Sequence, residues 1–266
     1  MAIMNEHAAR QARNEEKVMA VLRFLRTTTY STTEILGQVM GLQDHSAICR
    51  CLRKMEKIQV IRRHSYSEFT GTIVLWGITS TGQHFAAADG EEIKKVVFNS
   101  SKISPPKLMH YLTLQQLVIN GAKAGWTAFQ YCDKLPRPNK EKQNRPDDPL
   151  KRRADLLGTS PEGHHTAIEY ERSLKAAFRY KSEILPSHVD RLNAKEYDFV
   201  LWITHTAKTQ ATLERIIKQV VGDLKRDGTW HLDVPVLPFK RFQFANLQTW
   251  PTQWRFELHK MREQHG

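Results

Sequence analysis

Residues 155–175 read DLLGTSPEGHHTAIEYERSLK, and the fold follows from how that stretch divides. Asp155 opens an apolar run, Asp-Leu-Leu, that breaks at Gly158, Pro161 and Gly163 and resumes at Thr166-Ala-Ile-Glu-Tyr-Glu171. Two short apolar runs around a cluster of turn formers predict a β-hairpin. With the turn centred near Pro161 and Glu162, antiparallel pairing sets Asp155 opposite Glu169, where cross-strand neighbours lie about 5 Å apart. Glu169 and Glu171 are two residues apart, so strand alternation points both to one face. Three acids in one patch stay ionised at low cost only when a metal or basic groups sit among them. Oxygen-only ligands of this kind suit Mg²⁺ or Mn²⁺, which leave positions open for phosphate and water. A half-exposed strand with glutamates at alternate positions is the competing interpretation of the same residues. Arg172 and Lys175 follow at the expected start of a helix over residues 173–184.

Beyond the hairpin, Tyr197 to Thr204 is an almost continuous apolar run, as in a central strand covered on both faces. A helix is predicted over Gln210–Lys225, short strands at Val234–Leu237 and Gln243–Ala245, and a terminal segment from Trp250 to Met261. Before the hairpin, Lys134 to Arg153 reads KLPRPNKEKQNRPDDPLKRR, whose four prolines forbid regular structure. Its basic residues, Lys151, Arg152 and Arg153 among them, fit a loop that contacts phosphates, with a solvated linker as the alternative. Residues 101–160 hold 11 Lys and Arg against 5 Asp and Glu, half of the net +12 of the 266-residue chain. A folded basic protein of this kind pairs with an anionic polymer.

The N-terminal part has its own pattern. EEKVMAVLRFLR, Glu15 to Arg26, puts Val18, Val21, Leu22 and Leu25 on one helical face. A Thr-Thr-Thr-Tyr turn follows, then Ser31-Thr-Thr-Glu34 as a capping box for a short helix ending at Gly41. Asp44 caps a third helix, HSAICRCLRKMEKI, with Ile48, Leu52 and Met55 on one side and Ser46, Arg50, Arg53, Lys54 and Lys57 on the other. Val60–His64, which carries Arg62 and Arg63, and Thr72–Trp76 predict a hairpin. Three helices and a two-stranded wing give the winged helix-turn-helix order, in which the third helix enters the major groove and the wing touches backbone. A small bundle with a solvated basic face is the alternative. Thr79 is expected to cap one more short helix.

The predicted domains are a DNA-binding domain over 1–88, a helical connector over 89–133 with a helix at Lys107–Ala124 and an anchor at Trp126, Phe129 and Tyr131, and a C-terminal domain over 134–266. No apolar run approaches a membrane span and no secretory leader pattern opens the chain, so a cytoplasmic location without membrane insertion is expected. Cys49, Cys51 and Cys132 lack zinc spacing and are expected as reduced thiols.

Arg153-Ala-Asp155, then Ile168-Glu-Tyr-Glu171, then Lys175 and a strand-helix unit resemble the PD-(D/E)xK nuclease superfamily, with Ala154 in place of the usual proline. The order of winged helix, linker helix and this core resembles the replication-relaxation family and, within it, the MobC-type relaxases of mobilisable plasmids. The resemblance implies an α/β fold in which an N-terminal winged helix-turn-helix joins a C-terminal nuclease-like mixed sheet with flanking helices. It further implies nicking of double-stranded plasmid DNA at an origin of transfer, beside relaxosome accessory and coupling proteins. By position, Asp155 and Glu169 become ligands of Mg²⁺ or Mn²⁺. The family's lysine two residues after Glu169 is Glu171 here, so Lys175 is expected to stand in for it, with Glu171 as a third ligand or the group that orients water. Asp155, Glu169, Glu171 and Lys175 are then the catalytic set. No His-x-His motif occurs, and a covalent route through Tyr180 or Tyr170 stays open. An inactive core in a winged-helix accessory or regulatory protein is the alternative that the departure at Glu171 favours.

Overall fold

The computed structural model describes residues 2–69, 71–132, 154–226 and 238–251, which fall into two compact units, Met1–Ile119 and Asn120–Gly266. In the first unit, α1 (Ala2–Thr28) buries Val21, Leu22 and Leu25 as the pattern predicts, though it exceeds the expected range at both ends. Thr29, at a φ of 73°, turns the chain into β1 (Tyr30–Thr32) where the composition predicts only a turn. Pairing with a later strand overrides local preference: Tyr30 lies opposite Gly77 and Thr32 opposite Leu75. Because the chain stays extended through Thr32, α2 (Thr33–Val39) begins one residue later than a Ser31 cap predicts. Thr32 is the cap, its hydroxyl accepting from the Ile35 N–H at 3.4 Å. Ser31 instead donates to Gln115 Oε1 at 2.6 Å.

Asp44 caps α3 (His45–Lys57) as expected, accepting from the N–H groups of Ser46 and Ala47 at 3.1 and 3.0 Å. Ile48, Leu52 and Met55 are buried. Gly37 admits this packing, since a Cβ there would lie 2.4 Å from the Ile48 side chain. β2 (Ile61–Phe69) and β3 (Gly71–Ile78) are longer than the predicted hairpin and complete an antiparallel sheet ordered β1-β3-β2. Thr79 caps α4 (Ser80–Ala86). Phe98 packs with Leu108 and Leu112 of α5 (Pro105–Lys123) against Ile35 and Leu75, so residues 89–119 belong to the first unit's own core.

The second unit is built on a five-stranded sheet ordered β4-β5-β6-β7-β8. Its strands are β4 (Thr127–Tyr131), β5 (Leu156–Thr159), β6 (His165–Glu171), β7 (Phe199–Thr204) and β8 (Phe242–Asn246). β4, β5 and β6 are antiparallel neighbours, whereas β6, β7 and β8 run parallel. The aromatic stretch predicted as an anchor is therefore the strand at one end of this sheet. Crossing from β6 to β7 is a continuous helical stretch: α6 (Ala177–Arg179), a π-helical turn Tyr180–Ile184, and α7 (Leu185–Asn193). The predicted helix 173–184 is thus displaced at both ends. It starts late because the Lys175 N–H is given to the Tyr180 hydroxyl at 3.2 Å. It ends late because the widened turn leads into Pro186, which has no N–H to give one turn back, and the chain stays helical past it.

Ala167, Val200, Trp202 and Phe242 on one face of the sheet pack against Tyr180, Ile184 and Val189 and against Leu213 and Ile217 of α8 (Ala207–Arg226). Ile168, Leu201 and Ile203, which alternate to the other face, are buried too, so the middle of β6 and β7 is covered on both faces. The strand predicted at Val234–Leu237, the loop Lys134–Arg153 after Cys132 with Lys151, Arg152 and Arg153, and the segment after Pro251 lie outside the described residues. All three cysteines are free thiols. Among the described residues no helix is long and apolar enough to cross a membrane.

Candidate active site and basic helix face

Leu156 lies opposite Ile168 and Thr159 opposite His165. Continuing that register by one residue sets Asp155 across from Glu169, the juxtaposition the hairpin reading expects. The reversal at Ser160–His164 uses Gly163 at a φ of 86°, a conformation a side chain would strain. Alternation along β6 places Glu169 and Glu171 on the face of Ala167, toward α7 and α8, and Tyr170 on the opposite one. On the parallel neighbour, Trp202 stands in register with Glu169.

Each acid meets a different donor. Asp155 Oδ2 accepts from the backbone N–H of Tyr170 at 2.8 Å. Glu169 Oε1 lies 3.0 Å from Nε2 of His188, whose Nδ1 is 2.7 Å from the Tyr197 hydroxyl. Glu171 Oε1 is ion-paired with Lys175 Nζ. Lys175 thus reaches back to the acids as expected, from irregular chain and not from a helical turn. Among the described residues no three His, Cys, Asp or Glu side chains converge closely enough on one point to hold an ion.

Glu171 is only 3% exposed. Burial pushes its carboxyl above the usual range, Lys175 draws it back, and the charges of Glu169 and Asp155 push it up again. The three acids therefore act on one another electrostatically, as members of one cluster. Burial, with Glu171 and Glu169 nearby, also holds the Tyr180 phenol above its ordinary value. A fully buried phenol that keeps its proton is the reverse of an activated nucleophile.

A carboxyl raised in the folded state binds its proton more tightly there than in the unfolded chain. Its contribution to stability is therefore lost as pH rises upward from the unfolded value near 4.5. Glu171→Gln removes that titration. The variant is expected to gain on the parent in urea unfolding as pH rises from about 5 to about 8. A difference independent of pH would contradict this.

His188 and Tyr197 are the partners that sequence reasoning missed. The legible signal was a histidine within the apolar stripe Leu185, Val189 and Leu192, which lies on α7 beyond the predicted helix end at residue 184.

In the first unit, Ser46, Arg50, Arg53, Lys54 and Lys57 are all exposed on α3, as predicted, and Arg62 and Arg63 are exposed on β2. The α3 residues line a shallow concavity of about 540 Å³ together with His45 and Cys49, which sequence reasoning did not single out. Cys49 Sγ lies 3.7 Å from Nδ1 of His45. The Arg62 guanidinium sits 5.3 Å over the Phe98 ring, a stacked contact that limits its reach. The Arg63 backbone N–H donates to Glu56 Oε1 at 3.2 Å. No family model matches the chain, and no curated protein or solved structure does.

Proposed function

We propose that the chain is a metal-dependent DNA endonuclease of the PD-(D/E)xK kind, a relaxase of the MobC type that binds and nicks double-stranded plasmid DNA at an origin of transfer. The observation that carries this reading is the meeting of Asp155, Glu169, Glu171 and Lys175 on one patch of a mixed sheet. The element order supports it: helix, three antiparallel strands, a helical crossover and a parallel strand, with the first acid just before the second of those strands and the glutamates on the third. In the first unit, the order α1-β1-α2-α3-β2-β3 with sheet order β1-β3-β2 supports a winged helix-turn-helix whose third helix carries the exposed cations.

The residue types suit a hard divalent ion, but their placement does not: among the described residues no three of these side chains converge on one point, and the Glu171 carboxyl is raised first by burial and only then by the charges of Glu169 and Asp155. Asp155, Glu169 and Glu171 are the residues that would have to hold Mg²⁺ or Mn²⁺, which would supply polarisation of a phosphate and a lowered pKa of bound water. Lys175 supplies fixed positive charge beside Glu171, in the role the resemblance gives a lysine two residues after Glu169. Glu171 would serve as a third ligand or as the group that orients water. Relaxosome accessory and coupling proteins are the partners this reading implies. A second reading, a DNA-binding accessory protein without catalysis, is favoured by one observation: each acid already has a protein partner.

Nicking of supercoiled plasmid carrying the origin of transfer separates the two. Open-circular product in Mg²⁺ or Mn²⁺ is expected, and none in EDTA. Binding without nicking in either ion would leave the accessory reading. In gel-shift titrations at several salt concentrations Arg50→Ala and Arg53→Ala are each expected to weaken binding about tenfold and lower the salt slope by about 1.

A further inference from the structure

Between β6 and the crossover helix an exposed ring sits in a run of like charge. Residues 172–182 read RSLKAAFRYKS, which holds Arg172, Lys175, Arg179 and Lys181 and no acid. Leu174 packs against the core on one side of this run, and the wholly buried Tyr180 does so on the other. The Lys175 N–H, given to the Tyr180 hydroxyl at 3.2 Å, draws the two anchors together. Phe178 lies two residues before Tyr180, about 200° round a helical path, and so projects away from that core. It is 67% exposed, more than any other large apolar side chain among the described residues. Ala176 and Ala177 beside it are exposed and too small to cover the ring. We propose that this ridge binds single-stranded DNA, with Phe178 stacked on an unpaired base and Arg172 and Arg179 on the flanking phosphates.

An exposed apolar residue by itself is ordinary. The charge around this one selects the partner. A second copy of the chain would set the same cations against one another. A nucleic-acid strand offers phosphates along its edge and flat apolar base faces between them, which matches an aromatic ring set among arginines. In a duplex those faces are covered by stacking, so the ring meets one only where a strand is unpaired. Of the cations, Lys175 is engaged with Glu171, whereas Arg172 is exposed. Arg179 meets Glu183 at 3.6 Å, with both side chains 48% exposed. An exposed pair of that length gives way to a phosphate at little cost. Because the turn is anchored at both ends, its backbone needs no ordering before the ring can stack. The surface needs neither a metal ion nor cleavage, so it operates whether or not the acids before it form a nuclease site.

The test uses the full chain in EDTA and a single-stranded oligonucleotide of about ten nucleotides with 2-aminopurine at a central position. The parent is expected to bind it and to quench the fluorescent base by stacking. Phe178→Ala is expected to lose the quench and to weaken binding about tenfold, whereas Phe178→Trp keeps both. Phe178→Leu, apolar but not flat, is expected to fall with Phe178→Ala. Parental quench and affinity in Phe178→Leu would mark the ring as a general apolar contact, of the kind a protein partner makes, and overturn the proposal. Parental quench in Phe178→Ala, or an equal loss of duplex affinity in that variant, overturns it as well. Arg172→Ala and Arg179→Ala are each expected to lower the salt slope for the single strand by about 0.7, and unchanged slopes in both would remove the phosphate contacts. A parent that quenches the oligonucleotide but never nicks supercoiled DNA sinks the nuclease reading alone. One that nicks without quenching sinks the stacking ridge alone.

Discussion

Asp155→Asn and Glu169→Gln are each expected to lower nicking of supercoiled origin DNA by about three orders of magnitude, or ~4 kcal/mol of transition-state stabilisation. These substitutions keep shape and remove charge. An asparagine oxygen still accepts from the Tyr170 N–H, and a glutamine oxygen still accepts from His188, so the hydrogen bonds at both sites survive. What disappears is the paired negative charge across β5 and β6, which is the feature a divalent cation requires. DNA affinity measured in EDTA is expected to stay within about twofold of the parent, because the exposed cations of α3 belong to the other unit and are untouched. Quantifying open-circular product against time, alongside a gel-shift titration, separates the two effects. Parental nicking rates in both variants would remove Asp155 and Glu169 from the chemistry.

The second large effect is on stability. Trp202 is wholly buried and stacks on Phe244 at 5.6 Å and 13°, with Phe242 at 5.4 Å and the His188 ring edge at 5.5 Å. It is the largest of the fully buried side chains among the described residues, and the sheet packs against α7 and α8 through it. Trp202→Ala leaves a void among rings that cannot collapse into it, at a cost of about 4 kcal/mol. Trp202→Phe keeps most of the ring and removes an indole N–H that meets no acceptor among the described residues. That substitution is expected to cost about 1 kcal/mol. Urea unfolding followed by far-ultraviolet circular dichroism reads both. A loss under 1 kcal/mol in Trp202→Ala would mean the core of the second unit does not depend on this residue.

How legible these features were depends on where the physical signal sits. The Asp155 and Glu169 juxtaposition could be read because period-2 alternation and a turn holding Pro161 and Gly163 fix a hairpin register from neighbouring residues alone. The Asp44 cap and the Ile48, Leu52 and Met55 stripe were readable for the same reason: both are local. β1 was not, since Tyr30–Thr32 is extended only because it pairs with residues 75 to 77, far along the chain. β4 failed similarly, its aromatic residues serving equally well as packing anchors until the partner strand β5 is known. The helix expected to end at Ile184 instead runs on through Pro186, because a π-helical turn supplies the slack that a proline ordinarily takes by ending the helix. His188 fell in that blind spot. No spacing rule connects it to Glu169, 19 residues earlier, without the crossover helix that brings it onto the acid.

Whether the acids hold an ion can be measured without DNA or turnover. Titrating Mn²⁺ into the full chain and following the free-ion resonance by electron paramagnetic resonance is expected to show saturable binding in the parent and its loss in a protein carrying both Asp155→Asn and Glu169→Gln. Equal binding by the two proteins, or none by the parent, would contradict a metal site between β5 and β6.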